Sequence, residues 1–406
     1  MGWTQRSSFG QTYQAFNAEL NNINTRSKWK IGPLRFVPTL QFSNIGFDSN
    51  VYYQRTNPVS DYTATISLRA EVYFVFRNWL IFSFTENPSY IYFLKQESER
   101  YLNNSYSLNL RVLAFSRIAV SGLNDLAREK KRWTGESEAN IIQQINRANA
   151  RISYETARNT SLGFIGGIRK ISYEDLDYPG GIGPISTSLN REEKAAAGEF
   201  YYRVFSDSTY FARLGYSESS FEYPQASFRD SYSYEFMTGL QFPLLGRARG
   251  LISLGYRTVT PRRKEYRSFS GLVGDTSLSF RFGRFNYRLN YSRDVSFSAR
   301  GENIYYVLNR YGAGVSIYLN RFTRLDYNFG RSENRYPNPT QVILPGGDVS
   351  EVKLKDTINL HTGAIVFRII KNTGIGLRLD YWHRYTNLQA NDLKRLLVGG
   401  FLTYEF

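Results

Sequence analysis

Hydrophobic and polar residues alternate with a period of two along most of the chain. In TISLRAEVYFVF (residues 65–76), every even position is hydrophobic, and Arg69 and Glu71 stand at odd positions. FNYRLNY (285–291) and GIGLRLDYW (374–382) repeat the pattern. Such alternation predicts β-strands with one apolar and one polar face. A large antiparallel sandwich or a propeller would show the same alternation, so the strand pattern alone leaves these alternatives open.

Short polar breaks interrupt the strands at intervals of about 40 residues, which is room for two strands and a loop. Longer segments alternate with these breaks, and residues 171–193 and 332–353 are the longest of them. Tight turns on one rim and long loops on the other are typical of a transmembrane barrel. The predicted tight turns lie near Asn78, Ser116, Asn159, Asp207, Arg247, Gly283, Arg321 and Asn372.

Eight tight turns separate nine hairpins and predict an all-β, antiparallel up-and-down barrel of about 18 strands, with about 16 as the alternative. The first strand is expected near residues 34–42 and the last at residues 396–406. A propeller would need four short strands and a recurring sequence word in each repeat, and no such word recurs here. The turn rhythm therefore favours a barrel with short periplasmic turns and long extracellular loops.

The first residues depart from this rhythm. Phe9, Tyr13, Phe16 and Leu20 are spaced by three or four positions, which suits a short amphipathic helix within residues 9–24. This segment is either a periplasmic or lumen-inserted plug or a frayed tail. We divide the chain into an N-terminal segment (1–31) and a transmembrane barrel (32–406).

The composition of the 406 residues favours a membrane barrel over a soluble fold. Aromatic residues make up 16% of the chain, with 32 Tyr and 29 Phe, yet the mean hydropathy is −0.43. Many aromatic residues in a chain that is polar on average fit a barrel with an apolar outer surface and a polar, water-filled interior. The formal net charge of +16 comes from scattered basic residues, so we expect no nucleic-acid partner. A soluble, polyanion-binding β protein is a weaker alternative.

Two segments carry a resemblance to known families. The terminus GGFLTYEF (399–406) resembles the C-terminal signal of Gram-negative outer-membrane β-barrels. The segment 31–53 is similar to the first hairpin of the β-barrel porins found beside exopolysaccharide export systems, with a turn at Asp48, Ser49, Asn50 and Val51. The resemblance implies residence in the outer membrane of a Gram-negative bacterium. It also implies that the barrel-assembly machinery reads the face formed by Val398, Leu402, Tyr404 and Phe406.

The sequence holds no signature of an enzyme. It has no phosphate-binding loop, no His-Glu-x-x-His and no Gly-x-Ser-x-Gly. The two histidines, His361 and His383, are far apart in sequence, and we expect His361 to face the lumen with Asn359. We therefore predict no catalytic residue, no metal site and no cofactor.

Charged residues opposite the hydrophobic register predict the lining of the lumen, because charge facing lipid costs a few kcal/mol per residue. Arginines outnumber acids among them, which favours anions unless the charges pair across strands into a rigid network. The predicted lumen-lining residues are Arg69, Glu71, Arg111, Arg147, Arg151, Glu155, Glu199, Arg203, Arg213, Arg257, Arg288, Arg324, Asp326, Arg378 and Asp380.

The predicted function is a porin-like channel for small or anionic solutes, with acidic polysaccharide as a further candidate. The alternative is a non-conducting structural or partner-binding barrel in an outer-membrane export or surface complex. Expected partners are outer-membrane lipid and lipopolysaccharide, the assembly machinery and subunits of such a complex.

Overall fold

The computed structural model describes residues 12–115, 117–132, 140–156, 159–175, 185–205, 208–244, 248–300, 303–343, 349–370, 372–387 and 392–406. Its principal elements are the long strands that the period-two pattern predicted. They are β1 Leu34–Asp48, β2 Asp61–Phe76, β3 in two segments (Leu80–Glu86 and Ser89–Phe93), β4 Tyr101–Ala114, β5 Ile118–Arg132, β6 Asn140–Glu155, β7 Thr160–Asp175, β8 Arg191–Arg203, β9 Thr209–Phe221, β10 Ser231–Leu244, β11 Ala248–Pro261, β12 Phe269–Phe282, β13 Phe285–Phe297, β14 Tyr305–Tyr318, β15 Thr323–Arg335, β16 Lys355–Ile370, β17 Thr373–Thr386 and β18 Leu393–Glu405.

These strands form one closed antiparallel barrel. The sheet contains 20 hydrogen-bonded segments. One is the short strand Trp29–Ile31 beside β1, and the two segments of β3 act as a single strand, so 18 strands form the wall. The barrel closes where β1 pairs with β18, from Thr39 opposite Glu405 to Asp48 opposite Leu397. The predicted fold class and strand number are confirmed, although β1 extends beyond residue 42 to Asp48.

The predicted turn rhythm is also confirmed. Each of the eight predicted turn positions falls between an even-numbered strand and the next odd-numbered strand, from β2 and β3 to β16 and β17. Ser116, Asp207 and Arg247 lie outside the described residues. Gly283 has a φ of +55°, in the left-handed region that glycine adopts without steric penalty. The two-residue turn from β12 to β13 therefore has a residue suited to its backbone.

The two registers of the sheet have opposite character. Leu214, Phe236, Tyr256 and Leu272 stand directly opposite one another on β9 to β12, and each is 46–67% exposed. A continuous row of exposed apolar side chains marks the outer, lipid-facing register. The alternate register contains most of the buried charged residues of the strands, such as Glu71, Arg169 and Glu193, and is the inner register of the barrel.

Helix α1 (Thr12–Arg26) packs against the inner register close to the tight turns. Phe16 and Ile23 are each 4% exposed and form a cluster with Ile81 of β3 and Leu113 of β4. The described helix begins three residues after the predicted start and ends two residues after the predicted end, while Phe9 lies outside the described residues. Among the helices in the described ranges, none is long and apolar enough to cross a membrane.

The opposite end of the barrel is covered by loops. Helix α2 (Ile185–Leu189) and the 3-10 helix Pro224–Arg229 pack together with Ala299 and with Ile141 and Ile171 of the wall. A second 3-10 helix spans Glu97–Glu99, and a small hairpin joins Thr340–Ile343 to Val349–Val352. The loops that the sequence placed on one rim therefore form a packed layer there.

The turn Asp48–Val51 ties the first strand to the last. Asp48 is fully buried, and its carboxylate accepts hydrogen bonds from Arg395 of β18, at 2.8 Å for the Nε donor. The backbone N–H of Ser49 donates to the carbonyl of Leu396, and the Ser49 hydroxyl accepts from the Leu396 N–H. The turn on which the family resemblance rests thus connects β1 to β18 where the barrel closes. We call the contacts of Asp48 and Ser49 with Arg395 and Leu396 the seam latch.

Candidate pore lining

The cross-strand pairings place all fifteen predicted lining residues on the inner register. Glu199 of β8 stands opposite Arg213 of β9, for example, and both lie one position from the exposed apolar row. Arg378 and Asp380 of β17 share the register of Thr362, whose hydroxyl donates to the Asp380 carboxylate at 2.6 Å. Parity along each strand was therefore sufficient to group these residues on one face.

On one part of the wall, β2 to β8, the inner charges balance and many of them are paired. Arg69 contacts Glu71 at 3.0 Å, and Arg151 contacts Glu199 at 2.8 Å. Counting the described side chains, seven basic residues share this part of the wall with seven acidic residues. The basic residues are Arg69, Arg111, Arg147, Arg151, Arg169, Arg191 and Arg203, and the acidic residues are Asp61, Glu71, Asp125, Glu129, Glu155, Glu193 and Glu199. This part of the wall behaves as the rigid, neutral network that the sequence left as an alternative.

Helix α1 adds two ion pairs to the same part of the wall. Arg26 contacts Glu71 at 3.0 Å, and Arg111 of β4 forms an ion pair with Glu19. Burial raises the pKa of the Glu19 carboxyl even though Arg111 opposes this shift. The ionised form of Glu19 is therefore disfavoured by docking, so its ion pair contributes less than the contact suggests.

We expect Glu71→Gln to loosen α1 much more than Glu19→Gln. Glu71 is 3% exposed and accepts hydrogen bonds from both Arg26 and Tyr73. Neutralising Glu71 should lower the free energy that holds α1 on the wall by about 3 kcal/mol, whereas neutralising Glu19 should lower it by about 1 kcal/mol or less. Amide hydrogen exchange within α1 measures the difference. Equal loss of protection in the two variants would contradict this assignment.

The next part of the wall, β9 to β14, has an excess of arginine. Six arginines share its inner register with three acids: Arg213, Arg249, Arg257, Arg281, Arg288 and Arg310 with Glu235, Asp275 and Asp294. Arg257 pairs with Asp294 at 2.7 Å. Within the described residues, the remaining five arginines form no ion pair with a carboxylate. Positive charge on the lumen wall is thus concentrated on one side.

Three of these arginines are spread along the barrel axis. Arg288 of β13 stands opposite Gly314, four residues along β14 from Arg310. Arg281 of β12 stands opposite Asn286, two residues along β13 from Arg288. At roughly 3.4 Å per residue, the Cα atoms span about 20 Å from the loop side toward the tight turns. All three side chains are exposed, and Arg288 donates to the Asn328 amide oxygen at 3.1 Å. The arrangement is a cationic track.

The predicted set omitted Arg281 and Arg310, although parity could have found both. Arg281 shares its register with Ser277 and Ser279, and Arg310 with Gly312 and Gly314. Small neighbours weakened the alternation at both positions. The sequence offered no comparable signal for Glu19, which reaches the wall from a helix.

Both histidines lie on the outer register, so the expectation that His361 faces the lumen is wrong. His361 stands opposite Phe329 and Tyr381, and its Nδ1 atom lies 2.9 Å from the Tyr327 hydroxyl oxygen. Asn359 lies on the same outer register. The prediction that His361 and Asn359 share a face is therefore correct, but that face is the outer one and not the lumen face.

The fold is shared with outer-membrane proteins of known structure. OpdQ from Pseudomonas aeruginosa is 11% identical, with coverage of 93% of this chain and 98% of that chain and a TM-score of 0.50. The outer membrane protein OpdK from the same species is 9% identical, with coverage of 93% and 100% and a TM-score of 0.50. At such identity the likeness concerns the fold alone. A comparison with the curated proteins finds no match.

A family comparison covers nearly the whole chain. The family described as Putative beta-barrel porin 2 matches residues 29–405, which include every strand of the barrel. Together with the closed wall of 18 strands, the match identifies a porin-like barrel of the Gram-negative outer membrane. The chain belongs to the Putative beta-barrel porin 2 family.

Proposed function

We propose that the protein is a channel through which small anionic solutes cross the outer membrane. The observation that carries this proposal is the cationic track of Arg281, Arg288 and Arg310 on a wall where arginines outnumber acids. A positive wall concentrates anions and repels cations in a water-filled pore. The fifteen predicted residues line the passage, and the paired charges on β2 to β8 support its shape.

Acidic polysaccharide is the finer form of this proposal. A chain of carboxylated sugars presents anionic groups at regular intervals, and guanidinium groups along the axis can contact several of them together. The aromatic residues on the outer register are accounted for by lipid contact, so the support comes from the arginines. The proposal needs no catalytic residue, metal or cofactor.

We propose further that Val398, Leu402, Tyr404 and Phe406 form the signal that the assembly machinery reads. The first three stand on the outer register opposite Leu379, Ile375 and Thr373 of β17. The Phe406 ring packs edge-on against Tyr404, with centroids 4.6 Å apart. This apolar face ends the closing strand, where an assembly factor could pair with β18 before β1 does.

A second candidate is a non-conducting barrel that serves as a scaffold in an export or surface complex. Packing at both ends of the barrel supports it: α1 lies near the tight turns, and the layer formed by α2 and Pro224–Arg229 lies at the loop side. In this case the arginine-rich wall would hold a partner segment.

Planar-bilayer recording separates the two candidates. We expect single-channel steps and, in a KCl gradient, a reversal potential that reports anion selectivity. The variant Arg281→Gln/Arg288→Gln/Arg310→Gln should lower the chloride-to-potassium permeability ratio by about tenfold, the scale on which charged clefts concentrate ions. The control Arg128→Gln/Arg262→Gln removes charge from the outer register and should leave the ratio nearly unchanged. Silence at all voltages would reject the channel and favour the scaffold.

A further inference from the structure

A cationic cluster occupies the outer register at the loop-side ends of β13 to β16. Arg331 and Arg335 of β15 lie two positions on either side of Glu333, and Lys355 of β16 stands opposite Arg335. Arg293 of β13 reaches the same level, because its pairing partner Asn309 stands opposite Glu333. These four cations and one carboxylate lie on the face of the wall that points away from the lumen.

Glu333 holds the cluster together. Its carboxylate lies 2.8 Å from Arg331, 2.9 Å from Arg335 and 3.2 Å from Lys355. The Glu333 side chain is only 8% exposed, whereas those of Arg331, Arg335 and Lys355 are 36%, 55% and 40% exposed. The carboxylate therefore sits beneath the cations and fixes their positions, while their outward N–H groups are open to a ligand.

Among the ion pairs of the described residues, this cluster stands out by its positive surplus. Other ion pairs at the loop-side ends of the outer register are one to one, as between Arg128 and Glu174 and between Arg262 and Glu218. In the cluster a single acid faces four cations, counting Arg293, whose Nη1 donates to the Asn309 amide oxygen at 3.1 Å. Uncompensated like charges held close together repel one another, so an anion bound between them would be stabilised.

An exposed apolar surface continues from the cluster toward the tight turns. Tyr311 stands opposite Arg331 and is 40% exposed, and Tyr327, four residues before Arg331, is 47% exposed. Leu377 and Leu379 of β17 extend this surface and are 62% and 43% exposed. Acyl chains would lie against these side chains, which extend from the level of Arg331 to about 20 Å closer to the tight turns at the rise of a strand. A cationic cluster next to an apolar surface matches a lipid that has an anionic headgroup and acyl chains.

We propose that this cluster binds a phosphorylated glycolipid of the outer leaflet, with the phosphate groups held by Arg331, Arg335, Lys355 and Arg293. Outer-membrane barrels have their long loops on the extracellular side, so a cluster at the loop-side ends of the strands lies near the outer-leaflet headgroups. Guanidinium groups bind phosphate oxygens in a bidentate manner, and the apolar surface below accepts the acyl chains. The site is independent of the lumen and of ion passage.

The test uses the full-length protein in detergent and a bisphosphorylated, lipid A-type glycolipid as the probe. We expect the glycolipid to raise the unfolding temperature and to bind at least about tenfold more tightly than its dephosphorylated form. Equal binding of the two forms would overturn the proposal, and this comparison needs no variant. The same shift with inorganic phosphate alone, at equal concentration, would also overturn it, since the acyl chains would then contribute nothing.

Variants locate the site. The variant Arg331→Gln/Arg335→Gln/Lys355→Gln should lower the affinity for the bisphosphorylated glycolipid by a factor of at least about ten. The matched control Arg128→Gln/Lys194→Gln/Arg262→Gln removes the same charge from the outer register of other strands and should retain wild-type affinity. An equal loss in both triple variants would show that net charge, and not this cluster, determines binding.

Discussion

Displacing helix α1 from the barrel should raise single-channel conductance by about twofold or more. The variant Phe16→Asp/Ile23→Asp places two carboxylates in the cluster with Ile81 and Leu113, where a buried charge is strongly disfavoured. A helix with its side chains is about 10–12 Å across, a large fraction of the lumen that a barrel of this size leaves for water. Planar-bilayer recording of step size measures the effect.

The control for this variant is Ala18→Asp/Asn22→Asp. Both residues are exposed on α1, so the same charge is added without disturbing the docked face. We expect wild-type conductance from the control. If Phe16→Asp/Ile23→Asp also conducts like the wild type, α1 does not narrow the passage, and residues 1–31 act elsewhere.

Breaking the seam latch with Asp48→Asn should lower the free energy of unfolding by about 3 kcal/mol. Asp48 is fully buried and carries the charge that balances Arg395, whose side chain is 20% exposed. The ladder between β1 and β18 is already irregular between Phe42 and Ile45, so this end of the seam depends on the turn. Urea unfolding in lipid vesicles, followed by tryptophan fluorescence, reports the change.

Glu174→Gln serves as the reference for the seam variant. It removes a carboxylate from an ion pair with Arg128 in which both side chains are about half exposed, at 47% and 49%. Exposed pairs contribute about 0–1 kcal/mol, so the unfolding midpoint should barely change. An equally small change in Asp48→Asn would show that the latch does not stabilise the seam.

Much of the barrel could be read from the chain because its determinants are local. A period of two assigns each residue to one of two faces, and a shift of one position would move a whole strand's hydrophobic set to the wrong face. Strands of 13 to 16 residues joined by tight turns carry this assignment without interruption, as in β10 and β11. The strand count, the turn side and the grouping of Arg69, Arg213 and Arg378 on one register follow from it.

Parity alone does not say which of two faces points outward when both contain mixed residues. His361 shows this limit: its polar neighbour Asn359 suggested the lumen, whereas pairing with Phe329 places both on the outer register. The neighbouring strands decide the face, since a row of apolar side chains must continue around the wall to meet lipid.

What the sequence by itself determined is the sheet: its strands, its turns and the two faces of each strand. The closed structure decided which charges meet. Arg395 reaches Asp48 across 347 residues because the barrel closes, and Arg111 meets Glu19 because a helix folds back onto the wall. The pairing of β12, β13 and β14 aligned Arg281, Arg288 and Arg310 in one track, while β2 to β8 are neutral. Ion pairs act over a few ångströms in space. Each strand can be predicted from the sequence, but the distribution of charge around the lumen depends on how the strands are arranged in three dimensions.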